Sequence, residues 1–344
     1  METATVLSEG VFGTTYGKTA NGLVRFSQKY RITSVIDSRL KGKDAGEVLQ
    51  GRNSGIPIVG SLEDALKYNP ETLIVGIASD GGLLPENYRP FIRDAIATGM
   101  NIVSGLHDFI SDDREFSSLA MKSGSRITDV RKLFRDRRDQ FTGRIKEVGS
   151  YRIAVLGTDS AIGKRTTAII LNNRLMEHGN KSSVIGTGQT SWMQGIKHTI
   201  VLDAIVNDFV SGCLETVTYE SWKDERPDIM FLEGQGSVIH PAYPGSYEII
   251  GACRPDSIIL QHAPKRLYYD GFHDFQIPPV RNYIKILELL SGKKVIGISL
   301  NTEGMNDAEV EDYIEKGEKR YGIPVFNPLK DAGGMVSVIE EAVN

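Results

Sequence analysis

The residues best placed to do chemistry run from Gly157 to Thr166 and read G-T-D-S-A-I-G-K-R-T. They follow the apolar run Ile153–Leu156 and precede a helical pattern, so strand, glycine-bounded loop and helix are expected in that order. In such a turn consecutive backbone N–H groups point inward, and the helix N-terminus adds about half a positive charge, which suits a phosphate. Gly157, Thr158, Asp159, Ser160, Ala161, Ile162, Gly163, Lys164, Arg165 and Thr166 are therefore the expected cofactor-binding residues, with Lys164 reaching the outer phosphates. Two departures from the usual G-x-x-x-x-G-K-[ST] spacing bear on which phosphate compound is held. The glycines stand one residue further apart, and Arg165 occupies the place of the magnesium-binding hydroxyl, with Thr166 one position later. ATP with Mg²⁺ is one candidate, weakened by that missing hydroxyl; a plain strand–helix connection is the bland alternative.

A second loaded stretch is E-G-Q-G-S-V-I-H-P, Glu233–Pro241, at the end of the apolar strand expected over Asp228–Leu232. A carboxylate at that point would hold a phosphate-bound magnesium or take a proton, and histidine is the side-chain type suited to proton transfer near neutral pH, so Glu233 and His240 are the expected catalytic pair. Their bland readings are a capping acid and a hydrogen-bonded loop histidine. Gly234 and Gly236 allow the backbone to approach a ligand, with Gln235 between them. Gln189 and Thr190 follow the strand Ser182–Gly186, and His262, Lys265 and Arg266 follow Ser257–Gln261, where an anionic substrate would be gripped. A helix is expected through Ile200–Val210, burying Val201, Ile205 and Phe209 at i, i+4 and i+8. Asp203 and Asn207 share another face of it, either binding a ligand or simply solvated.

These groups need a scaffold of alternating strands and helices, and the chain supplies two. Ahead of residue 129 the strands Ala4–Leu7, Ile32–Ile36, Thr72–Ile77 and Met100–Ser104 alternate with helices, one of them capped by Ser61. The pattern is Rossmann-like, with Asp37 where an acidic residue would bind a ribose. However, G-x-x-G-x-x-x-G from Gly10 to Gly17 is not the dinucleotide fingerprint, which points to an adapted or vestigial site. Asp80, Gly81, Gly82, His107 and Asp108 lie at strand ends, the two aspartates most simply as helix caps. The division expected is a Rossmann-like domain over 1–128, a charged connector over 129–150 and a P-loop NTPase-like α/β domain over 151–344.

Composition sets the remaining bounds. With 344 residues, 24% charged and 40% hydrophobic, the chain has the make-up of a soluble two-domain protein. A net charge of −4 gives no footprint for nucleic acid, and no apolar run reaches the length of a membrane span. Two cysteines, Cys213 and Cys253, make no disulfide framework, and the first residues lack the features of a secretory signal, so a cytoplasmic enzyme is expected. A homo-oligomer is expected from base rates.

The pairing of G-T-D-S-A-I-G-K with L-E-G-Q-G resembles dethiobiotin synthetase and its P-loop relatives. A wider resemblance runs through G-K-T-A, G-L-H-D-F, G-T-D-S-A-I-G-K-R-T, G-T-G-Q-T, the D-A-x-x-x-D-F segment and G-Q-G-S-V-I-H-P. On these motifs the chain is similar to a two-domain family long of unknown function, some members of which are associated with N-acetylation of D-glutamate or other D-amino acids. In that family Arg165 belongs to the pattern. The resemblance implies acetyl-CoA as cofactor, a small-molecule amino acid as substrate and no metal, with Lys164, Arg165 and the loop backbone on the cofactor phosphates. Glu233 or His240 would be the base, and Gln189, Thr190, Gln235 and Lys265 or Arg266 would orient the amino acid. The synthetase-like alternative is ATP-dependent phosphoryl transfer or ligation, with Thr166, Asp203 and Glu233 around Mg²⁺.

Overall fold

Short apolar runs rich in Val, Ile and Leu alternate with helices along the chain, and in a computed structural model nearly every run becomes a buried parallel strand. The structure describes residues 1–343, the side chain of Asp80 excepted. It divides into two compact units, Met1–Asp136 with Gln189–Ile196, and Arg137–Gly188 with Lys197–Asn344.

In the first unit, β1 (Glu2–Leu7), β2 (Tyr30–Ile36), β3 (Ile58–Val59), β4 (Thr72–Val75), β5 (Asn101–Ser104) and β6 (Ile127–Asp129) are linked by α1 (Lys18–Phe26), α2 (Ala45–Gln50), α3 (Leu62–Leu66), α4 (Arg89–Ala97) and α5 (Arg114–Ser123). The strands pair in parallel in the order β3-β2-β1-β4-β5-β6, which is the Rossmann order. Leu7, Ile36, Leu73, Ile92, Ile96, Ile102 and Phe116 form one core on the sheet. Ser61 caps α3 as the sequence predicts, accepting from Asp64 N.

The place where such a fold binds a ribose is taken by the chain itself. Asp37 is fully buried, and its carboxylate accepts from Phe12 N at 3.0 Å and Arg39 N at 3.1 Å while pairing with the Arg39 guanidinium at 3.0 Å. A Cβ on Gly76, just past β4, would lie 2.4 Å from Val6 Cγ1 and 2.9 Å from Ala20 Cβ, so the start of α1 packs directly on the strand end. Asp108 is not a helix cap: its Oδ2 accepts from Leu84 N at 2.8 Å, while His107 N donates to Gly82 O at 2.9 Å. The side chain of Asp80 lies outside the described residues.

In the second unit, β7 (Tyr151–Gly157), α6 (Lys164–Glu177) and β8 (Ser182–Gly186) come first. Helix α7 (Gln189–Gln194), which belongs with the first unit, leads to β9 (His198–Thr199), α8 (Asn207–Glu225), β10 (Ile229–Glu233), α9 (Ser246–Cys253) and β11 (Ser257–His262). A small antiparallel hairpin, β12 (Tyr268–Tyr269) with β13 (Phe272–Gln276), is followed by α10 (Val280–Ser291), β14 (Val295–Leu300), α11 (Asp307–Tyr321), β15 (Val325–Phe326) and α12 (Gly333–Val343). The sheet order is β15-β14-β11-β7-β10-β8-β9, parallel throughout. With β10 on one side of β7 and β11 on the other, the loops at their carboxyl ends converge on the loop after β7. The capping box at the start of α11 is present, with Asn306 and Glu309 in its two roles.

The helix expected through Ile200–Val210 is not there. Ile200 N donates to Gly186 O at 2.9 Å and Leu202 N to Thr187 O at 3.2 Å, so this β-branched stretch continues the edge of the sheet beyond β9. A 3-10 turn over Leu202–Ala204 follows, and α8 starts only at Asn207, which puts Asp203 and Asn207 on different elements. Among the described residues no helix is long and apolar enough to cross a membrane.

The charged stretch 129–150 is more than a solvated connector. Its Thr142 N and Ile145 N donate to the fully buried carboxylate of Glu215 on α8, at 2.6 and 3.1 Å. Burial works to raise that carboxyl's pKa, but these donors together hold it below the usual glutamate value. A Cβ on Gly212, one turn earlier, would lie 2.0 Å from Asp139 O. Gly212→Val should therefore destabilise the protein by about 1–3 kcal/mol. An unchanged midpoint in urea unfolding would show instead that residues 137–145 pack loosely.

Candidate phosphate-loop site

Two left-handed residues shape the loop between β7 and α6. Gly163, before the helix, has φ +103°, and Ala161 has φ +51°, a left-handed conformation that an alanine adopts only at a cost of about 1–3 kcal/mol. Ile162 between them is fully buried and anchors the turn. The loop start is tied down as well: Thr158 N donates to Gln261 O at 3.0 Å, Tyr283 OH donates to Thr158 O at 2.9 Å, and Thr158 Oγ1 lies 3.1 Å from His262 Nδ1.

Asp159 is the hub. Its carboxylate is buried; Oδ1 accepts from Ser160 N at 2.7 Å and lies 3.1 Å from His240 Nε2, and Oδ2 accepts from Arg266 Nη1 at 2.9 Å and Asp270 N at 3.1 Å. Burial alone would raise its pKa; His240, Arg266 and the Ser160 amide more than offset this and hold it below the usual aspartate value. The carbonyl of the same residue accepts from Lys164 Nζ at 2.6 Å, which curls the ammonium back over the loop. Lys164 can follow that path because position 234 is glycine: a Cβ there would meet Lys164 Cδ at 2.9 Å and Val155 O at 2.3 Å.

Glu233 closes β10 as expected. Its Oε2 accepts from Thr187 N at 2.8 Å, Thr187 Oγ1 returns a bond to Glu233 O at 2.9 Å, and Gln235 Nε2 donates to that hydroxyl at 3.1 Å. Oε1 faces Arg165 at 3.5 Å, looser than a tight ion pair. Burial works against the Arg165 charge and Glu233 works for it, and the buried Nε finds no acceptor among the described residues. Lys164, a guanidinium with an unused donor, and the amides at the start of α6 together fit a phosphate group.

Other expected site residues turn out to serve the protein itself. His240 Nδ1 accepts from both Ala242 N at 3.1 Å and Tyr243 N at 3.0 Å, so the ring proton sits on Nε2, towards Asp159. That leaves no lone pair for the base role; the ring is wedged instead among Tyr243, Tyr269 and Phe272 at centroid distances of 4.9, 4.8 and 5.8 Å. Arg266 grips Asp159 and Ser160 O, the latter at 2.9 Å, not a substrate, and Lys265 pairs at the surface with Glu309 at 2.6 Å. Gln189 and Thr190 belong to the first unit, where Thr190 Oγ1 meets Thr19 Oγ1 at 2.9 Å. Asp203 is an exposed member of its 3-10 turn, and Gly236, at φ +51°, is held closely under Tyr243 O. Thr167, not Thr166, turns its hydroxyl into the core, onto Gln261 Oε1 at 2.6 Å. Sequence reasoning missed Thr187, Gln261, Tyr269, Asp270 and Tyr283; only Thr187 carried a signal, as part of G-T-G-Q-T.

A parallel α/β unit with such a loop on its central strand is a P-loop domain, and the same chain carries a Rossmann-like one. The chain belongs to the DUF1611 family: residues 139–336 match its domain of unknown function described as a P-loop domain, and residues 38–133 match its Rossmann-like N-terminal domain. Two curated relatives are named D-glutamate N-acetyltransferase. The one from Tritonibacter scottomollicae is 30% identical over 83% of this chain and 85% of its own length, and that from a Pseudoalteromonas species is 30% identical over 81% and 83%. The crystal structure of a DUF1611 family protein from Anabaena variabilis superposes with a TM-score of 0.89 at 30% identity, covering 100% of this chain and 99% of that one.

Two outcomes test the site's construction. Asp159→Ala strands Arg266 and His240 in a buried setting and should cost about 3–5 kcal/mol in urea unfolding; a loss below 1 kcal/mol would deny Asp159 its anchoring role. His262 is pushed down to about 4 by burial, from an ordinary 6.5. Between those values the unfolded chain takes up a proton that the folded one refuses, so this residue makes stability fall as pH drops from 6.5 towards 4, by on the order of 3 kcal/mol. His262→Asn should flatten the stability profile in that window, measured by urea unfolding at several pH values.

Proposed function

We propose that the protein is an N-acetyltransferase that moves the acetyl group of acetyl-CoA to the amino group of a D-amino acid such as D-glutamate. The observation that carries the reading is Arg165, standing at the magnesium-binding position and facing Glu233 at 3.5 Å. A guanidinium supplies permanent charge and several donors to a phosphate without a metal, which suits a cofactor whose phosphates are gripped and not cleaved. The names of the relatives agree with this reading.

Acetyl-CoA supplies an activated thioester carbonyl, together with a pyrophosphate and a 3′-phosphate. Lys164, Arg165 and the amides at the start of α6 hold phosphate. Glu233 takes the proton from the acceptor nitrogen as the C–N bond forms and the C–S bond breaks, and the departing thiolate collects a proton from solvent. Arg165 engaged by phosphate pulls less on Glu233 Oε1, leaving that oxygen for the amine, while the Thr187 amide keeps Oε2 in place. Gln235, fixed by Thr187, orients the acceptor. The same reading has the protein acting in the cytoplasm as a homo-oligomer on a small-molecule amino acid.

Calorimetric titration with acetyl-CoA, and separately with ATP and Mg²⁺, decides between cofactors. Acetyl-CoA should bind with a micromolar Kd that Lys164→Ala weakens at least tenfold; binding of ATP with Mg²⁺ alone would sink the acetyltransferase reading in favour of ATP-dependent ligation. Glu233→Gln should lower turnover by about 10²–10⁴ while leaving acetyl-CoA affinity within about threefold. Wild-type turnover in that variant would remove Glu233 from the chemistry.

A further inference from the structure

A feature that the phosphate-loop chemistry does not use lies at the amino-terminal ends of the strands in the first unit. Glu2 opens β1, Tyr30 opens β2, Asn101 opens β5 and Arg126 immediately precedes β6, and together with Lys29 and Trp192 they line a cleft of about 280 Å³. Its walls are preset. Gln28 N donates to Gln194 O at 2.7 Å and Gln194 Nε2 to Gly22 O at 2.7 Å, while a Cβ on Gly195 would lie 3.0 Å from Lys29 N. These contacts fix α7, and with it Trp192, against the start of β2.

The charges in this cleft are unbalanced. The Lys29 ammonium sits 3.0 Å from the centre of the Trp192 ring, and among the described residues neither it nor the Arg126 guanidinium has a carboxylate at ion-pair distance. Burial lowers the Lys29 pKa, with Glu2 raising it and Arg126 lowering it further, so the ammonium pays for desolvation without a close counter-ion. Glu2 is half used: its Oε1 takes the Thr72 hydroxyl and the Asn101 amide, while its Oε2 accepts no hydrogen bond among the described residues. Two cations, the half-buried Lys29 and the exposed Arg126, thus line the cleft together with a carboxylate that has one oxygen accepting no hydrogen bond among the described residues, and the wall contacts fix Trp192 against Lys29. An inorganic phosphate would satisfy the cations but be repelled by Glu2; a molecule carrying both an anionic and a cationic group satisfies all three.

We propose that this cleft binds a small amino-acid zwitterion, its carboxylate between Lys29 and Arg126 and its ammonium on Glu2. The site is independent of the acetyl-transfer reading, because it concerns binding and needs no turnover.

The chain has two tryptophans, and Trp222 lies in the second unit with Arg226 stacked 3.9 Å from its ring. Trp222→Phe therefore leaves Trp192 as sole reporter in the full-length protein. Titrated at constant ionic strength with D-glutamate, L-glutamate and glutarate, which lacks the ammonium, this variant should show a saturable change in emission with either glutamate and at least tenfold weaker binding of glutarate. Adding Lys29→Met or Arg126→Ala should weaken glutamate at least tenfold, with the far-ultraviolet dichroism unchanged. No saturable change, an identical curve in the folded Arg126→Ala variant, or glutarate binding as tightly as glutamate would each overturn the proposal.

Discussion

The carboxylate of Asp159 is the constraint on which the second unit's site depends. A charge taken wholly out of water is tolerated only when enough donors surround it. Here they come from three places in the chain, the next amide of the loop, the Arg266 guanidinium after β11 and the Asp270 amide of the hairpin, and the His240 ring after β10 lies 3.1 Å away. Satisfying one acid therefore fixes the relative positions of three loops from three different strands. The same residue's carbonyl holds Lys164, so the anchoring of the loop and the placing of its cation are one event. Arg266 also offsets the charge of the Asp159 carboxylate, paired with it at 2.9 Å.

Two sheets with related logic come out differently. The first unit has the Rossmann strand order, yet the acid at the end of β2 binds its own chain: Asp37 takes the Phe12 amide and the Arg39 side chain, and Gly76 lets α1 press on β4 where a nucleotide would enter. In the second unit the glycines at 157 and 234 leave room for Lys164, whose ammonium lies over the loop on Asp159 O. Sheet order thus describes where a ligand could bind, and side chains decide whether it does. Helix α7 begins two residues after Thr187, which is bound to Glu233, yet it belongs to the first unit.

Much of this was legible in the residues. Parallel strands buried on both faces read as unbroken apolar runs, so Ile153–Leu156, Asp228–Leu232 and Val295–Leu300 declared themselves, and the glycine spacing with Lys164 declared the loop. Polar roles set by distant partners were hidden. Arg266 looks like a substrate clamp until Asp159, 107 positions away, is seen in its fork. His240 looks like a base until the amides of Ala242 and Tyr243 occupy its lone pair. The segment Ile200–Val210 has helical spacing of Val201, Ile205 and Phe209, but hydrogen bonds to Gly186 and Thr187 at the sheet edge override it. Nothing in the hexapeptide of α7 says that it will leave the unit in which its neighbours fold.

The exchange of a hydroxyl for Arg165 has a consequence for what the loop can be used for. A serine or threonine at that place contributes through a metal, which then draws charge off the phosphate being cleaved. A guanidinium reaches the phosphate itself and remains charged at any working pH, so it favours bound anion equally before and after reaction. Such uniform binding tightens a complex without lowering a barrier. In the proposed reaction the barrier would be lowered elsewhere, and the carboxylate facing Arg165 is Glu233, buried at the end of the neighbouring strand with Oε2 accepting from the Thr187 amide and Oε1 3.5 Å from the guanidinium. Under the proposed acetyl transfer, the loop would serve as a handle for the cofactor and the strand end next to it would be where a proton is moved.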